Sequence, residues 1–320
     1  MRRAKLILIA LLGVGIAPLS AAHRHYVAFA NDAASEKQHK FITAASESFS
    51  FFESPAAVSD SNGSSSRSPF ILSQPKPVLP FPIVLNRLVQ SYVHDYLERP
   101  ESLEASFERS RPFFLEMTKT LRAKGVPDDL VYLSFAESDF TKRGKGPWQF
   151  NKGTAQRYGL RIDHWVDERR DPILSTKAAA EYLSDLHDAA GRDWRVAIVG
   201  WNGGDLAIDR YWLLRGENFN RFMDLLPGHT RALMGRFMAV AFIAHNSAAY
   251  GIGNLDYDVA PSYHEVPVKG GTTLGQVANS YKTTVQKLHD LNPAILRDRV
   301  PPYARNYKVR VPLVRTASAR

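Results

Sequence analysis

Glu137 closes an apolar helical run, and Gly146, Trp148 and Gln149 follow it closely. Further along comes Trp201-Asn202-Gly203-Gly204. One carboxylate at a helix end, a glycine-rich turn with an aromatic and an amide, and an Asn-Gly-Gly loop suit the cleavage of a glycosidic bond. A carboxyl near a helix C-terminus faces the negative end of the macrodipole, and apolar neighbours disfavour its ionised form. Both effects raise its pKa and keep a proton available for a departing sugar oxygen. The plainer fate of a helix-end glutamate is to sit solvated. Glu-Ser alone carries no weight, because Glu47-Ser48 and Glu53-Ser54 occur in a serine-rich stretch.

The neighbouring residues have plainer readings too. Gly144, Gly146 and Pro147 make a tight turn in which the backbone can approach a ligand. Gln149 offers a donor and an acceptor for sugar hydroxyls and acetamides, whereas Trp148 and Phe150 could equally pack in a core. Trp201 can stack on a sugar face and Asn202 can hold an acetamide, but Asn and Gly also end helices. The block Asp167-Glu168-Arg169-Arg170-Asp171-Pro172 reads as salt bridges and a helix cap. The ten histidines show no metal-ligand spacing, so neither a metal nor a cofactor is expected.

These residues need helices to position them. Apolar residues from Ile83 to Leu97 recur at helical spacing, with Pro100 as the stop. A second helical region covers Ser102 to Lys124, kinked or divided at Pro112 and capped by Gly125. A third starts at Pro127-Asp128-Asp129 and runs to Glu137. Helices also follow Asp171-Pro172, cover Trp194 to Val199, and are expected over Phe222–Leu226 and Leu233–Ala244. Residues 83 to 250 contain no convincing alternating strand. The tail differs: strand Tyr263–Val268, a Gly270-Gly271 turn, short helices Thr273–Tyr281 and Val285–Leu291, and strand Tyr307–Pro312 suggest a small separate module.

The 320 residues carry a net charge of +9, 44% hydrophobic residues and no cysteine. The basic excess suits an anionic partner or simple solubility; no arginine-rich helix or zinc spacing points to nucleic acid. Absence of cysteine rules out thiolate chemistry and thiol lipidation. Met1 to Lys5 is a positive n-region, Leu6 to Leu19 an apolar core too short to span a bilayer comfortably, and Ser20-Ala21-Ala22 a small-residue cleavage site. Ala28-Phe29-Ala30 is the alternative site, and an uncleaved membrane anchor the alternative reading. With no disulfides, export to a bacterial periplasm is expected. Residues 23–80, rich in Ser and Pro, read as a tether.

As an ordered set, the residues from Ile83 to Tyr250 resemble the lysozyme-like lytic transglycosylases, most nearly the membrane-bound lytic murein transglycosylase D type. The likeness runs through Val84-Leu85-Asn86, Val126 to Leu130, Glu137-Ser138, Gly146 to Phe150, Gly153-Thr154-Ala155, Tyr158-Gly159-Leu160, Asp167 to Pro172 and Trp201 to Gly204. The tail is similar to a divergent LysM module in Gly271 to Leu274, Val277-Ala278 and Leu291-Asn292-Pro293. The resemblance implies a mainly α, lysozyme-like domain over residues 81–258 and a small α+β LysM-like module over 262–314. It implies peptidoglycan glycan strands as partner and Glu137 as sole catalytic acid, then base, yielding a 1,6-anhydro sugar end. Ser138, Gly146, Trp148, Gln149, Trp201, Asn202 and Gly203 would form the substrate site.

The chain departs from the family pattern in three places. The stretch between Ser138 and Trp148 is shorter and lacks Ser-x-x-Gly-Ala. Gly200-Trp201-Asn202 stands for Ala-Tyr-Asn. Leu233, in His229 to Met234, stands where a tyrosine normally supports the glutamate. A wall-binding protein without cleavage is therefore the alternative, followed by a hydrolase using Asp139 or Asp205.

Overall fold

The computed structural model describes residues 81–213, 223–252 and 262–313. The expected export signal (1–22) and tether (23–80) lie outside the described residues, and the helix expected over Phe222–Leu226 falls partly outside them.

The first helix, α1 (Arg87–Glu98), starts where the Asn86 side chain accepts the Val89 N–H. Pro100 does more than stop it. It occupies the first turn of α2 (Pro100–Ser110), where a missing N–H costs nothing. Pro112 divides the next stretch as expected, and α3 (Phe114–Ala123) follows.

The helix expected from Pro127 to Glu137 is two pieces: a 3-10 helix, Asp128–Tyr132, and α4 (Leu133–Ser138). Its start has no side-chain cap, because the cap position is Pro127; Asp129, in the first turn, is engaged elsewhere. One carboxylate oxygen accepts the Phe81 N–H at 3.1 Å and the other lies 2.6 Å from His245 Nε2. That His is at the far end of α9 (Gly228–His245). The pairing with Asp129 raises the imidazole pKa.

After α5 (Lys152–Arg157) come α6 (Pro172–Ala189), α7 (Trp194–Gly203) and α8 (Asp205–Leu213). Asp171 caps α6, accepting from the Ile173 and Leu174 N–H groups, and Asp193 caps α7. Residues Leu233, Met234 and Phe237 to Ile243 of α9 are buried. A helix apolar on all sides belongs in the middle of a bundle, and α9 packs on α1, α4 and α7. Its crossing with α1 is close: a Cβ on Gly235 would sit 2.8 Å from the Tyr92 ring.

The C-terminal module is a two-stranded antiparallel sheet, β1 (Tyr263–Val268) with β2 (Tyr307–Pro312), paired Tyr263↔Pro312 through Val268↔Tyr307. Two helices lie between them, α10 (Leu274–Ser280) and α11 (Val285–Leu291). A capping box of Thr273 and Gln276 opens α10. Val266, Val268, Leu274, Leu288, Ile295, Val300, Val309 and Val311 form the module's own core.

The module is nonetheless fastened to the helical body. Arg310 of β2 is buried and paired in fork geometry with Asp171, the α6 cap. Its guanidinium lies over the rings of Phe113 and Tyr263, 5.8 and 5.5 Å from their centroids. Backbone bonds join Asp167 N to Ala294 O and Leu296 N to Trp165 O, both at 2.9 Å.

A buried pair is costly to break from one side, because the remaining charge stays buried alone. Arg310→Met is expected to lower unfolding free energy by roughly 3–5 kcal/mol. Adding Asp171→Asn, which keeps the cap oxygen, should recover part of it. Urea unfolding of the two variants checks this; a single variant as stable as wild type would show that the pair does not fasten the module.

Candidate active site

Glu137 lies on the last turn of α4, where Asp139 (φ 50) and Phe140 (φ 53) turn the chain sharply away through two consecutive left-handed residues. Such a pair needs compensation. The Phe140 side chain is fully buried against Phe135, with ring centroids 5.1 Å apart, and the Asp139 carbonyl accepts from Arg109 at 2.6 Å. The short stretch after Glu137 is thereby pinned at both residues.

Glu137 itself is partly buried, and its Oε1 accepts a 2.9 Å hydrogen bond from Trp201 Nε1. Burial raises the carboxyl pKa and is the dominant effect. The Trp201 hydrogen bond and the charges of Arg236 and Lys145 oppose it. The proton is favoured, yet the anion has a fixed donor waiting for it.

Trp201 can hold that donor still because its ring is boxed. Phe150, Tyr182 and Trp148 lie 5.0, 5.2 and 5.5 Å away, centroid to centroid. The expected face for sugar stacking is thus packed among aromatics, and the indole N–H serves the carboxylate. Trp148 is only 1% exposed, and its Nε1 donates to Thr176 Oγ1 at 2.9 Å. Of its two readings, the structure places Trp148 in the core, where so large and apolar a ring gains most.

The Gly146 backbone approaches protein closely: at φ +75 a Cβ would fall 1.8 Å from the Arg169 carbonyl. That carbonyl belongs to the charged block, where Arg169 is bound to Asp167 and to the Phe150 carbonyl. The block is a salt-bridge and capping device, as its sequence suggests.

Ser138 Oγ lies 2.9 Å from the Pro147 carbonyl and 3.1 Å from the Ser134 carbonyl, and accepts the Thr141 N–H. Its hydroxyl ties the glutamate's helix to the Gly146-Pro147 turn. Gln149, at φ 51, donates to the Gly146 carbonyl at 2.7 Å; its carboxamide oxygen has no hydrogen bond among the described residues. Asn202 Oδ1 accepts from Thr230 Oγ1 at 2.8 Å, which turns the amide NH2 away from that contact. Gly203 is exposed beside it.

Two participants are absent from the sequence reading. Thr230 orients Asn202, and Arg236 acts on Glu137 through charge; both come from α9. The Arg236 Nε is buried without a hydrogen-bond partner. Thr230 stands in the His229 to Met234 stretch already noted, but nothing local marks Arg236. Leu233 is buried in the core. Asp139 and Asp205 are exposed, and neither side chain has a hydrogen bond to Glu137 among the described residues. Among those residues no three His, Asp or Glu side chains gather as a metal site would require.

Residues 119–219 match the family model of the transglycosylase SLT domain, and residues 262–320 that of the lytic transglycosylase MltD, LysM-like domain. The chain carries an SLT domain and an MltD-type LysM-like domain. It is 24% identical over 219 residues to the membrane-bound lytic murein transglycosylase D of Escherichia coli K12, and equally to that of strain O6:H1. The match covers 66% of this chain and 48% of each relative, so the chain spans about half the length of those relatives. A protein of Alteromonas sp. strain M-1 named for tributyltin chloride resistance is 30% identical over 103 residues, 30% of this chain and 50% of that one. Glu137, Trp201 and Asn202 fall inside the SLT match; Thr230, Leu233 and Arg236 fall beyond it.

The buried acid has a measurable consequence. Its folded pKa exceeds the ordinary 4.5, so the unfolded chain gives up this proton first as pH rises. Wild-type stability should therefore fall, relative to Glu137→Gln, from about the ordinary carboxylate range up through the raised folded value, and then level off. Below that range the two should coincide. Thermal unfolding across pH 3–9 tests this, and equal melting temperatures at every pH would remove the claim that Glu137 is held protonated by burial.

Proposed function

We propose that the protein is an exported peptidoglycan lytic transglycosylase in which Glu137 is the single catalytic residue. Residues 1–22 serve as export signal, 23–80 as tether, 81–258 as catalytic domain and 262–314 as wall-binding module. The observation that carries the reading is the 2.9 Å bond from Trp201 Nε1 to a carboxyl whose pKa burial raises, within an SLT domain.

The chemistry needs one carboxyl used twice. Glu137 gives its proton to the oxygen linking N-acetylmuramic acid to N-acetylglucosamine, and the C1–O bond breaks. The carboxylate left behind is held by Trp201 and by the field of Arg236 and Lys145. It then takes the proton of the muramyl C6 hydroxyl as that oxygen bonds to C1. A 1,6-anhydro ring results, no water is consumed, and Glu137 ends protonated. No second carboxylate is required, which agrees with Asp139 and Asp205 making no hydrogen bond to Glu137. Gln149 and Asn202 supply the amide groups for the sugar acetamides and hydroxyls.

In the family pattern a tyrosine at the place of Leu233 supports the glutamate. Here Leu233 is buried, and that favours the second reading, a wall-binding protein without cleavage. The Trp201 N–H supplies the missing donor and weighs for the enzyme. The printed name of the Escherichia coli relatives includes membrane attachment; in this chain no helix among the described residues is long and apolar enough to cross a membrane, and the segment 1–22 would set any such attachment.

Mass spectrometry of fragments from purified sacculi should show anhydro-muropeptides with the wild type. With Glu137→Gln the rate should drop roughly 10²–10⁴-fold. Reducing ends on the products would indicate a hydrolase instead, and sacculus binding without fragments would establish the non-cleaving reading.

Trp201→Phe keeps an aromatic ring in the box but removes the donor and part of the ring's breadth. It should lower kcat roughly tenfold and move the alkaline limb of the kcat/KM profile to higher pH, since the lost bond favoured the anion. A lower rate with an unmoved pH profile would mean that Trp201 is mere packing.

A further inference from the structure

A cavity of about 610 Å³ lies between the helical domain and the LysM-like module. Arg109 of α2, Lys142 and Arg143 of the short loop after α4, and Lys287 of α11 bring four cations to it. Two acids, Glu108 and Asp290, also line it. Glu108 is already paired with Arg111 at 2.6 Å, and the Asp290 carboxylate accepts from Gln286 at 3.3 Å.

None of the four cations has a carboxylate within ion-pair distance among the described residues. Arg109 donates to Ser106 Oγ and to the Asp139 carbonyl, and Lys142 donates to the Asp290 carbonyl at 2.9 Å. Neither bond neutralises charge. Lys142 is also partly desolvated over the Phe113 ring, 5.7 Å from its centroid. Burial lowers the Lys142 pKa, and repulsion from Arg109 and Lys287 adds to this against the attraction of Asp290; burial likewise lowers that of Arg109 against the attraction of Asp139. Four cations against two acids leave the cleft with an excess of positive charge, which attracts an anion.

The loop forming one wall begins at Ser138, whose Oγ accepts the Thr141 N–H. It is therefore continuous with the turn that carries Glu137. A glycan strand lying over Glu137 carries peptide stems on its muramyl residues, and those stems bear free carboxylates. Arg143 and Lys287 are exposed and free to reach such groups. We propose that this cavity is a binding site for the carboxylates of a peptidoglycan peptide stem, formed jointly by the catalytic domain and the LysM-like module. The inference rests on the reading of Glu137 as acting on peptidoglycan.

Two measurements on the full chain separate the two claims. In the first, a soluble stem tetrapeptide containing D-glutamate and diaminopimelate is titrated into wild type and into an Arg143→Glu, Lys287→Glu variant, followed by NMR. Both substituted side chains are exposed, so the fold is expected to survive, and the amide spectrum shows whether it does. Saturable binding to wild type, weakened about tenfold or more in the variant and lost when the peptide carboxylates are amidated, supports the site. No binding, binding unchanged by the double substitution, or equally strong competition by inorganic phosphate overturns it. In the second, sacculi and glycan strands stripped of peptides by an amidase are digested. The ratio of the two rates should fall about tenfold in the variant relative to wild type, and an unchanged ratio counts against the site. Peptide binding without any cleavage would leave the site standing while removing the catalytic reading. Cleavage without peptide binding would do the reverse.

Discussion

The proton affinity of Glu137 is a balance between burial, which raises it, and a hydrogen bond and nearby positive charge, which lower it, and the hydrogen bond is a single contact, Trp201 Nε1 to Glu137 Oε1. Desolvation alone would leave an acid that cannot ionise. A donor on a mobile side chain would stabilise the anion only after reorganising. The indole avoids this because Phe150, Tyr182 and Trp148 surround it, and Trp148 is itself held by Thr176 of α6. The donor's position is thus determined by elements on either side of the charged block as well as by α7, the helix that bears it. The carboxyl is positioned with equal care: α4 is only six residues long, ends in two left-handed residues, and lies against the buried α9.

The same elements fasten the C-terminal module. Asp171 caps α6 through two backbone N–H groups and at the same time takes the guanidinium of Arg310. One carboxylate thereby couples the helix carrying Tyr182 and Thr176 to the sheet of the module. Asn292 doubles the connection within the module, exchanging hydrogen bonds with the Arg310 backbone at 2.8 Å in both directions. A module held on a flexible linker contributes through effective concentration alone. One held by a buried ion pair and backbone bonds has a set position, so its residues and those of the helical domain can line a single cavity.

Much of this was legible in the chain. Period and capping residues gave most helices of the body though not α5 or α8, the division at Pro112, and the strand–helix–helix–strand order of the module, because those signals are local. The 3-10 start at Asp128 was not legible, since Pro127 with acids in the first turn also opens an α-helix, and the bonds of Asp129 to Phe81 and His245 join residues distant in sequence. Trp148 and Gly146 illustrate a different limit. Their types suit a sugar site and a close-packed interior equally well, and only the Arg169 carbonyl beside Gly146 and the Thr176 hydroxyl beside Trp148 decide between them. Arg310 with Asp171 and Arg236 with Glu137 are tertiary pairings, for which a single sequence offers no periodicity to read.

Leu233 and Trp201 show why departures from a motif have to be weighed in space. Taken along the chain they are two separate losses, a supporting tyrosine and a familiar Ala-Tyr-Asn. In the folded protein they bear on one task. Position 233 needs no hydroxyl once another group donates to Glu137, and an apolar side chain there can be buried without an unsatisfied oxygen. Position 201 needs a ring broad enough to fill the space among Phe150, Tyr182 and Trp148 while presenting a donor at its edge. An indole meets both demands. Its N–H donates but cannot accept, so unlike a phenol it can neither take the proton from Glu137 nor share it. The carboxyl therefore remains the one group at this contact able to gain and lose a proton.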